Sequence, residues 1–377
     1  MANVHIFSDP NGHFTKMTIE RVCKIDPKNN IFINLSQPQN KSDQEISMKS
    51  GEVVAYIRSL VDLDRVFFHA YATEQQDILQ RLRVNKDVKF IWIFWSAEFY
   101  NLPENRPIIY EEFERRFVKG SKVRRILRRF ALPVLTGLAI LKESPAVYSQ
   151  KRLYKSYSKI SFVCSLLKED FNNIVSKSGA TNLKHLPWAY ISLKEILAHI
   201  PLNASVKSNA IMIGHSADPA GNQYSVMKKI FALNIENKII FPLAYPNKKY
   251  AFALENEIKN LNRKNVEIWK NYVDPETYFN NLLQVGFAVF NHKVQQGLSN
   301  IIVLLWLGAK VYLNEANPIF IEFKRLGLKV FPMTDAFNPD AFLSFLDEET
   351  VLHNREILEK YFSEDVVDGY IYDALNC

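Results

Sequence analysis

The stretch FAVFNHKVQQGLSNIIVLLWLGAKVYLN, residues 287–314, contains the pattern that decides the fold. Its first and last runs, FAVFN and KVYLN, are short and rich in β-branched and aromatic residues, which predicts two β-strands. The apolar run from about Leu298 to Leu307 predicts a buried helix that leads through Gly308 into the second strand. A strand, a helix and a strand in this order form a βαβ unit, whose two strands lie parallel in one sheet.

Strand patterns of the same kind recur along the whole chain. They are VHIF (4–7), IFINL (31–35), VFFHA (66–70), KFIWIFW (89–95), KISFVCS (159–165), IMIG (211–214), KIIFPLAY (238–245), VEIW (266–269) and LKVF (328–331). Helical patterns alternate with these runs, and this alternation predicts an α/β fold with parallel sheets. The runs lack strict alternation of apolar and polar residues, as expected for strands that helices cover on both faces.

The length of the chain favours more than one domain, because its 377 residues exceed the usual domain size of about 150 residues. The small and polar residues of HIPLNASVKSNA (199–210) predict a linker. We therefore expect two sheets in separate domains, residues 1–203 and 204–350, followed by helices over residues 351–377. The composition, 47% hydrophobic and 23% charged, is that of a globular protein.

The cysteines and the first residues bear on the compartment. Cys23, Cys164 and Cys377 are odd in number and far apart, so they suggest neither a disulfide framework nor a CxxC site, and a reducing cytoplasm fits best. The first ten residues, MANVHIFSDP, have no basic region and no long apolar run, so they predict a strand and a turn, and we expect no secretion signal.

The net charge of +7 is concentrated in one segment. RRFVKGSKVRRILRR (115–129) holds eight basic residues and no acidic one, and its apolar residues fall at helical spacing. It continues into FALPVLTGLAIL (130–141), whose 12 residues are fewer than the roughly 20 that span a bilayer. We expect residues 115–141 to rest on anionic membrane lipids through Arg124, Arg125, Arg128 and Arg129.

Two other interpretations of the basic segment stay open at this point. It resembles a nucleic-acid-binding patch in charge, and it also fits an ordinary solvated helix face with one buried side. Few aromatic residues interrupt its arginines, which argues against binding of single-stranded nucleic acid. The sequence therefore favours a membrane surface and no nucleic-acid partner.

Polar and titratable residues follow many of the predicted strands. They are Ser8, Asp9, His69, Ser96, Glu98, His215, Ser216, Tyr245 and Asn314. In doubly wound folds the ligand binds beyond the carboxyl ends of the strands, so these residues are candidates for a site. The alternative is that they only form loops and helix caps, where Ser, Asp and Asn are common.

The residues QQG (295–297) stand at the start of the predicted apolar helix. A glycine at a helix start leaves backbone N–H groups free at the positive end of the helix dipole, an arrangement that binds phosphate. Gln295 and Gln296 add neutral side-chain donors. The alternative is a turn that merely begins a core helix.

Several common motifs are absent from the sequence. It contains no GxGxxG, no Walker A, no HExxH and no GxSxG pattern. The acidic triplet DLD (62–64) precedes a predicted strand, whereas ligand-binding residues follow strands in such folds. We therefore expect no metal site and no cofactor.

In combination, these segments resemble a family, the bacterial 4-acetamido-4,6-dideoxygalactose (Fuc4NAc) transferases that extend the lipid-linked intermediate of enterobacterial common antigen. The similar segments are SDPNGHF (8–14), FFHA (67–70), FIWIFWSAEFYNL (90–102), IMIGHSADPAGNQ (211–223), PLAYPNKKY (242–250) and VFNHKVQQGLSNIIVLLWLGAKVYLNEANPIF (289–320). The resemblance runs in order to about residue 330 and is weakest between residues 105 and 185.

The resemblance implies a GT-B glycosyltransferase, in which two Rossmann-like domains face each other across a cleft. It implies an N-terminal domain that binds the acceptor, a C-terminal domain that binds the nucleotide sugar, and final helices that cross back to the N-terminal domain. The donor would be a dTDP-activated acetamido-deoxy sugar, and the acceptor an undecaprenyl-diphosphate-linked saccharide. Transfer would invert the anomeric centre without a metal, at the cytoplasmic face of the inner membrane, where the protein would be peripheral.

The donor site that the resemblance implies lies in the second domain. Its residues are Ser216, Gln295, Gln296 and Gly297 near the diphosphate, Asn300 at the loop or a sugar hydroxyl, Tyr245 near the base, and Asn314 and Asn317 near the ribose or sugar. For Asn317 the alternative is a turn, because Asn-Pro commonly opens one.

The catalytic base is expected in the first domain. Glu98 is the first candidate because aromatic neighbours would raise its pKa, His69 is the second and Asp9 the third. The alternatives are that Glu98 pairs with an arginine and that His69 is a hydrogen-bonded core residue.

Two departures from the family pattern leave other functions open. The family's W-G-A-D-hydrophobic-Y motif reads WSAEFY (95–100) in this chain, and its N-S-G-D loop reads HSAD (215–218). The donor base or sugar can therefore differ. The open alternatives are a GT-B transferase with another nucleotide sugar and a lipopolysaccharide or capsule acceptor, and a non-catalytic protein that binds anions.

Overall fold

The chain folds into two compact units, each built around one parallel sheet. A computed structural model describes residues 2–9, 12–35, 45–102, 105–118 and 150–377. Of these, the first unit contains the residues up to Asn101, those from 150 to Lys194, and Lys360–Cys377. The second unit contains the residues from Leu102 to 118 and Glu195–Glu359.

The first unit has a seven-stranded sheet of order β3-β2-β1-β4-β5-β6-β7. Its strands are β1 (Ala2–Phe7), β2 (Asn30–Leu35), β3 (Glu45–Met48), β4 (Leu63–His69), β5 (Lys89–Ile93), β6 (Phe162–Cys164) and β7 (Lys184–Leu186). The α-helices are His13–Ile25, Ser50–Ser59, Thr73–Arg81, Ala97–Tyr100, Gln150–Ser156, Lys168–Ser178 and Glu364–Asn376. The strand order reverses between β1 and β4, the point at which such sheets bind ligands.

The final helix, Glu364–Asn376, belongs to the core of this unit. Ile371 is fully buried in one apolar cluster with Val22 of the helix His13–Ile25. Beside this contact, the Arg21 guanidinium binds the Asp368 carboxylate at 2.6 Å. These contacts attach the last helix to the first unit.

The second unit has a six-stranded sheet of order β10-β9-β8-β11-β12-β13. Its strands are β8 (Ala210–Ile213), β9 (Ile239–Pro242), β10 (Val266–Trp269), β11 (Val285–Phe290), β12 (Lys310–Leu313) and β13 (Phe331–Pro332). The α-helices are Arg106–Ile109, Gln223–Phe231, Lys248–Asn260, Pro275–Leu282, Leu298–Leu307 and Pro318–Leu326, and the short helix Leu193–Ile196 and the long helix Glu348–Phe362 lie at its boundaries. The strand order reverses between β8 and β11.

The apolar helix has the bounds that the sequence predicts, Leu298–Leu307, between Gly297 and Gly308. Every residue from Ile301 to Leu307 is buried, so the helix lies inside the unit. The predictions of an α/β fold and of a βαβ unit over residues 287–314 are therefore confirmed.

The strand predictions are wrong at three places, all at the sides of the sheets. β3 and β7 escaped prediction because these half-exposed edge strands, EISM and KHL, lack the continuous apolar run that marks the buried strands. LKVF (328–331) was expected to be a strand, but only Phe331 and Pro332 pair with β12. The backbone N–H of Leu328 instead donates to Phe323 O, closing the turn after the helix Pro318–Leu326.

Residues 105–118 lie in the second unit, whereas the expected boundary after residue 203 assigns them to the first. Glu114 is fully buried there, and its Oε1 accepts hydrogen bonds from Tyr224 N and Tyr250 Oη, each at 3.1 Å. The ring of Phe113 stacks on Tyr224 at 4.0 Å. The expected boundary is therefore wrong for this segment, because contacts over more than 100 residues of sequence hold it in the second unit.

The basic segment expected at a membrane, residues 115–141, falls for the most part outside the described residues. Arg124, Arg125, Arg128 and Arg129 all lie in that part of the chain. Within the described ranges, no helix combines the length and the apolar character that crossing a bilayer requires.

Candidate active site

A pocket of about 460 Å³ lies at the carboxyl ends of β9 and β10 in the second unit. Five aromatic residues contribute to its wall: Tyr245, Trp269, Tyr272, Tyr278 and Phe279. Ser299 and Asn300, from the first turn of the apolar helix, form another part of the lining. The Tyr278 hydroxyl donates to Asn300 Oδ1 at 2.7 Å. This hydrogen bond joins an aromatic residue of the pocket to the first turn of the apolar helix. Tyr245, which was predicted near the nucleotide base, is half exposed in this pocket.

The start of the apolar helix has free backbone donors. Gly297 stands at the N-cap position with a φ of 65°, and no side chain of the described residues caps the helix. The N–H groups of a helix's first turn have no partners within the helix, and the helix dipole makes this end positive. A Cβ at residue 297 would lie 2.8 Å from His215 Nδ1, so the position requires glycine for its conformation and for space.

Side-chain donors surround this helix start. Gln296 Nε2 donates to Asp218 Oδ2 at 3.1 Å, and Gln295 is half-buried beside it. Ser216 is 5% exposed, and its hydroxyl lies 3.3 Å from His215 Nε2. Ser216, Gln296 and Gly297 therefore lie close to His215 or Asp218, and Gln295 precedes them in the same stretch of chain as Gln296.

A chain of hydrogen bonds leads from the buried Asn317 to Ser216. Asn317 Oδ1 accepts from Ile319 N at 2.8 Å, so its Nδ2 donates to His292 Nδ1 at 3.4 Å. His292 Nε2–H then donates to His215 Nδ1 at 3.2 Å, and His215 Nε2–H donates to the Ser216 oxygen. Burial lowers the pKa of His215 to about 4 and that of His292 well below its usual value, which keeps both rings neutral. The Ser216 hydroxyl therefore keeps its own proton for a further acceptor.

A second pocket, of about 520 Å³, lies in the first unit. Its lining residues are Ser8, Phe14, Ala70, Ala72, Trp95, Ala97, Glu98 and Tyr190, which follow β1, β4, β5 and β7 or belong to nearby helices. Ala70 has a φ of 55° and Ser96 a φ of 77°, values that side-chain-bearing residues rarely adopt. Such backbone strain is concentrated at functional sites in proteins. We call this cavity the first-unit pocket.

Glu98 lines the first-unit pocket as a carboxylate without an ion pair among the described residues. Its Oε1 accepts from Trp92 Nε1 at 3.0 Å and from Trp95 N at 2.9 Å, while its Oε2 is buried without a hydrogen-bond partner in the described part of the chain. Burial raises the pKa of Glu98, and the hydrogen bonds from the two tryptophans lower it in part. The expected raised pKa is thus present, and no arginine of the described residues pairs with Glu98.

His69 is the last residue of β4 and is 1% exposed. Its ring stacks on Phe7 at 4.1 Å and meets the edge of Trp95, which lines the first-unit pocket. The third candidate, Asp9, is exposed and does not line this pocket. The structure thus brings Glu98 and His69 to one aromatic cluster and leaves Asp9 apart from it.

Two of the predicted donor residues lie away from the aromatic pocket. Asn314 donates to Asn291 Oδ1 at 2.7 Å and accepts from Ala316 N, so both ends of its amide are in use. Asn317 is fully buried and caps the helix Pro318–Leu326. For Asn317 the turn is the role that the structure shows, and its second contact is His292.

Sequence reasoning missed residues that the structure places at both sites. His292 follows β11 and would have been found by the rule that selected the other residues after strands. His5 lies within β1, where nothing in the sequence distinguishes it from a core residue. Trp269 and Tyr278 are recognisable in the sequence only as aromatic residues, and aromatic residues of the core look the same.

Solved structures with the same fold share little sequence with this chain. A UDP-forming trehalose-phosphate synthase from Burkholderia xenovorans has a TM-score of 0.65 at 9% identity, over 100% of this chain and 98% of that one. Sucrose-phosphate synthase from Thermosynechococcus elongatus has a TM-score of 0.61 at 9% identity, over 100% and 99%. HepE of Anabaena, solved with UDP and glucose, has a TM-score of 0.58 at 9% identity, over 100% and 99%. No curated protein sequence matches the chain.

The two Rossmann-type sheets and these similarities define the GT-B fold of glycosyltransferases. The model of one family, 4-alpha-L-fucosyltransferase (glycosyl transferase group 56), matches residues 170–373, more than half of the 377 residues. The chain belongs to this family and is a glycosyltransferase. Its substrates are therefore a nucleotide-sugar donor and an acceptor.

Proposed function

We propose that the protein transfers an acetamido-deoxy sugar of the Fuc4NAc type from a dTDP-sugar to an undecaprenyl-diphosphate-linked saccharide. Transfer inverts the anomeric centre, needs no metal ion, and serves the synthesis of cell-surface polysaccharide at the cytoplasmic face of the inner membrane. The observation that carries the proposal is the pocket of the second unit, in which an aromatic wall adjoins an uncapped helix start.

The aromatic pocket suits a pyrimidine base. Pro242, Ala244, Ile268 and Val273 add aliphatic surface to its aromatic wall, and ligand pockets of this size and apolar character bind flat rings with a few polar contacts. Thymine is such a ring and carries a methyl group that aliphatic neighbours can cover. These features support dTDP as the nucleotide.

The helix start suits the diphosphate. The backbone N–H groups after Gly297, the amide of Gln296 and the hydroxyl of Ser216 are donors that carry no net charge. The positive end of the helix dipole adds attraction for an anion. These groups give the departing diphosphate its stabilisation in the proposed reaction, which is why we propose transfer without a metal.

Inverting transfer is a single displacement. The acceptor oxygen forms a bond to the anomeric carbon while the bond between that carbon and the diphosphate oxygen breaks. The proton of the acceptor hydroxyl passes to a base, and the electron pair of the broken bond leaves with dTDP. We propose that this base lies at the first-unit pocket. The candidates are Glu98, which lines the pocket, and His69, whose ring meets the edge of the lining residue Trp95.

The donor site is tested first by thermal stabilisation with dTDP, UDP, GDP and ADP at millimolar concentration. At one hundred times the dissociation constant, dTDP should stabilise the protein by about 2.7 kcal/mol, and the other nucleotides by less. Transfer is then measured by mass spectrometry with dTDP-Fuc4NAc and a synthetic polyprenyl-diphosphate disaccharide, with and without EDTA, and we expect equal rates. Stabilisation by UDP alone would replace the proposed donor, and no response to any nucleotide would contradict the transferase proposal.

The membrane part of the proposal rests on the basic sequence of residues 115–141. We expect the protein to sediment with vesicles that contain phosphatidylglycerol, and less so when Arg124, Arg125, Arg128 and Arg129 are replaced by glutamate. The matched control replaces four exposed lysines elsewhere by glutamate, which changes the net charge by the same amount. They are Lys86, Lys168, Lys207 and Lys264. Equal loss of binding in both variants would show that total charge, and not this segment, attracts the membrane.

A further inference from the structure

We propose that His69 takes the proton of the acceptor hydroxyl at its Nδ1, and that His5 and Asn30 hold His69 in the tautomer that leaves Nδ1 unprotonated. His69 is then a catalytic residue, and the other two are positioning residues. This inference rests on the proposed function, which requires a base in the first unit.

Asn30 on β2 fixes which atoms donate and which accept in the series of hydrogen bonds from Asn30 through His5 to His69. Asn30 Nδ2 donates to the backbone carbonyl of Asp26 at 2.7 Å, which leaves Oδ1 of the same amide as an acceptor. This Oδ1 lies 3.0 Å from Nε2 of His5. The contact requires a proton on His5 Nε2, because two acceptors do not form a hydrogen bond.

The same direction continues to His69. With its proton on Nε2, a neutral His5 presents Nδ1 as an acceptor, and this atom lies 3.0 Å from His69 Nε2. His69 therefore carries its proton on Nε2, and its Nδ1 holds the lone pair. Both rings are neutral, because burial lowers the pKa of His5 to about 4 and that of His69 well below its usual value.

The lone pair of His69 Nδ1 has no partner in the part of the chain that the structure describes. This atom is buried and receives no hydrogen bond from any described residue. The indole N–H groups of Trp95 and Trp188, whose rings lie 6.4 and 6.2 Å from the His69 ring, and Glu98 Oε2 are also buried and unpartnered in the described part of the chain. Buried polar groups without partners are rare in folded proteins, and a ligand with several hydroxyl groups would pair with such a cluster.

Burial disfavours the positive charge that follows proton transfer to His69, and the far end of the network offsets part of this cost. His69 would then hold protons on both nitrogens and keep its hydrogen bond to His5. The network ends on the carbonyl of Asp26, the C-cap of the helix His13–Ile25, whose negative dipole end favours a nearby cation. The Asp26 carboxylate acts in the same direction on the pKa of His5.

Glu98 fits a different role in the same pocket. Its Oε1 is used by Trp92 and Trp95, so one half of the carboxylate maintains the turn after β5. Its free Oε2 can accept from a second hydroxyl of the acceptor or balance the charge on His69. Glu98 is therefore expected to contribute to binding of the acceptor more than to removal of its proton.

The tautomer of His69 is measured directly by NMR on the full chain with ¹⁵N-labelled histidine. The chain has eight histidines, and the His69 signals are assigned from their loss in His69→Gln. We expect a protonated Nε2 and an unprotonated Nδ1 at pH 7.5 for His69 in the wild type. A proton on Nδ1 would overturn the inference without any activity measurement, and it would do so even if variants of His5 fail to fold.

Kinetics test the role of the lone pair. We expect His69→Gln to lower kcat by roughly 10²- to 10⁴-fold, the usual contribution of a general base. His5→Phe keeps a ring in the stack with Phe67 but removes both nitrogens, and it should lower kcat at least about tenfold through loss of the correct tautomer. His5→Asn restores an acceptor near the position of Nδ1 and should recover part of that loss. Glu98→Gln should raise the KM of the acceptor more than it lowers kcat.

The controls separate failure of this inference from failure of the proposed function. His185→Gln changes another histidine of the same sheet, hydrogen-bonded to Ser165, and should leave kcat unchanged. All variants should keep the stabilisation by dTDP, because the donor pocket lies in the second unit. If the wild type transfers sugar and His69→Gln retains its rate, the inference fails. If Glu98→Gln abolishes turnover and His69→Gln does not, Glu98 is the base. If the wild type neither transfers sugar nor responds to dTDP, the proposed function fails whatever the tautomer of His69.

Discussion

Each of the two units has a pair of histidines at the strands where its sheet reverses order, and the two pairs differ in direction. In the first unit, His5 on β1 meets His69 at the end of β4. In the second unit, His215 and His292 follow β8 and β11 and meet in the same way. The first series of hydrogen bonds ends on a lone pair at His69 that has no partner among the described residues, and the second ends on a hydroxyl that still has its proton.

The difference arises from one asparagine at the far end of each series. Asn30 turns its oxygen toward His5, because its amide N–H is held by a carbonyl. Asn317 turns its N–H toward His292, because its oxygen caps a helix. The same ring pair therefore becomes a proton acceptor in one unit and a proton donor in the other. A base and a binding site for an anion are the two functions that a metal-independent inverting transferase requires.

The largest effect is expected from pH, because both pairs are buried and neutral. The pKa of His5 and that of His215 are each about 4, below the value of about 6.5 in an unfolded chain. Between pH 6.5 and 4 the unfolded state binds protons that the folded state does not. The free energy of unfolding should therefore fall with falling pH by about 1.4 kcal/mol per unit for each such histidine.

Urea unfolding at pH 7, 6 and 5 measures this effect. Replacing His5 and His69 by phenylalanine should remove part of the slope, and replacing His215 and His292 should remove a similar part. If only one double variant reduces the pH dependence of the free energy of unfolding, the two histidine pairs are not equally buried and neutral.

The next effect concerns Gly297, which lies against His215 of the second pair. Gly297→Ala forces a side chain onto a left-handed backbone and places its Cβ 2.8 Å from His215 Nδ1. We expect the free energy of unfolding to fall by about 2–4 kcal/mol. We also expect this variant to lose the stabilisation by dTDP. Gly179 is the matched control, with a φ of 67° and no described atom within 4 Å of its Cβ position. Gly179→Ala should cost about 1 kcal/mol and leave the dTDP response intact. Equal losses in both variants would show that the contact with His215 is irrelevant.

A smaller effect separates the two pairs by kinetic parameter. His292→Phe removes the donor to His215, so that His215 is no longer held in the tautomer that donates to Ser216. We expect the affinity for dTDP to fall roughly tenfold with a smaller change in kcat, because the loss is that of a hydrogen bond to an anion. His5→Phe should lower kcat with little change in the affinity for dTDP. If both variants change the same parameter, the opposite directions of the two pairs have no functional meaning.

The smallest effect concerns the aromatic wall of the pocket in the second unit, the proposed donor site. Tyr278→Phe removes the hydroxyl that donates to Asn300 but keeps the ring, and the dissociation constant of dTDP should rise roughly twofold to fivefold, as expected for loss of one neutral hydrogen bond. Tyr372, which is 58% exposed in the first unit, provides the control variant Tyr372→Phe. Calorimetric titration measures both. An unchanged dissociation constant in Tyr278→Phe would remove this wall from the donor site.

Much of the second unit could be predicted from sequence because its signals are local. The βαβ pattern over residues 287–314, the glycines at both ends of the apolar helix and the polar residues after the strands are all readable within a few positions. Tyr245 was selected because it follows a strand and Asn300 through the family resemblance, and the two line one pocket. The base was harder to choose, because Glu98 and His69 differ in partners that lie far away in the chain.

The sequence by itself determined the alternation of strands and helices and the bounds of the apolar helix, because hydrophobic period and glycine conformation act over short distances. The family was indicated by the resemblance of its motifs. Only the tertiary structure decided which residues work in pairs. His5 and His69 are 64 residues apart, His215 and His292 are 77 apart, and Glu114 joins the second unit through residues more than 100 positions away. Burial, tautomers and pKa values depend on those long-range contacts, and no local pattern specifies them.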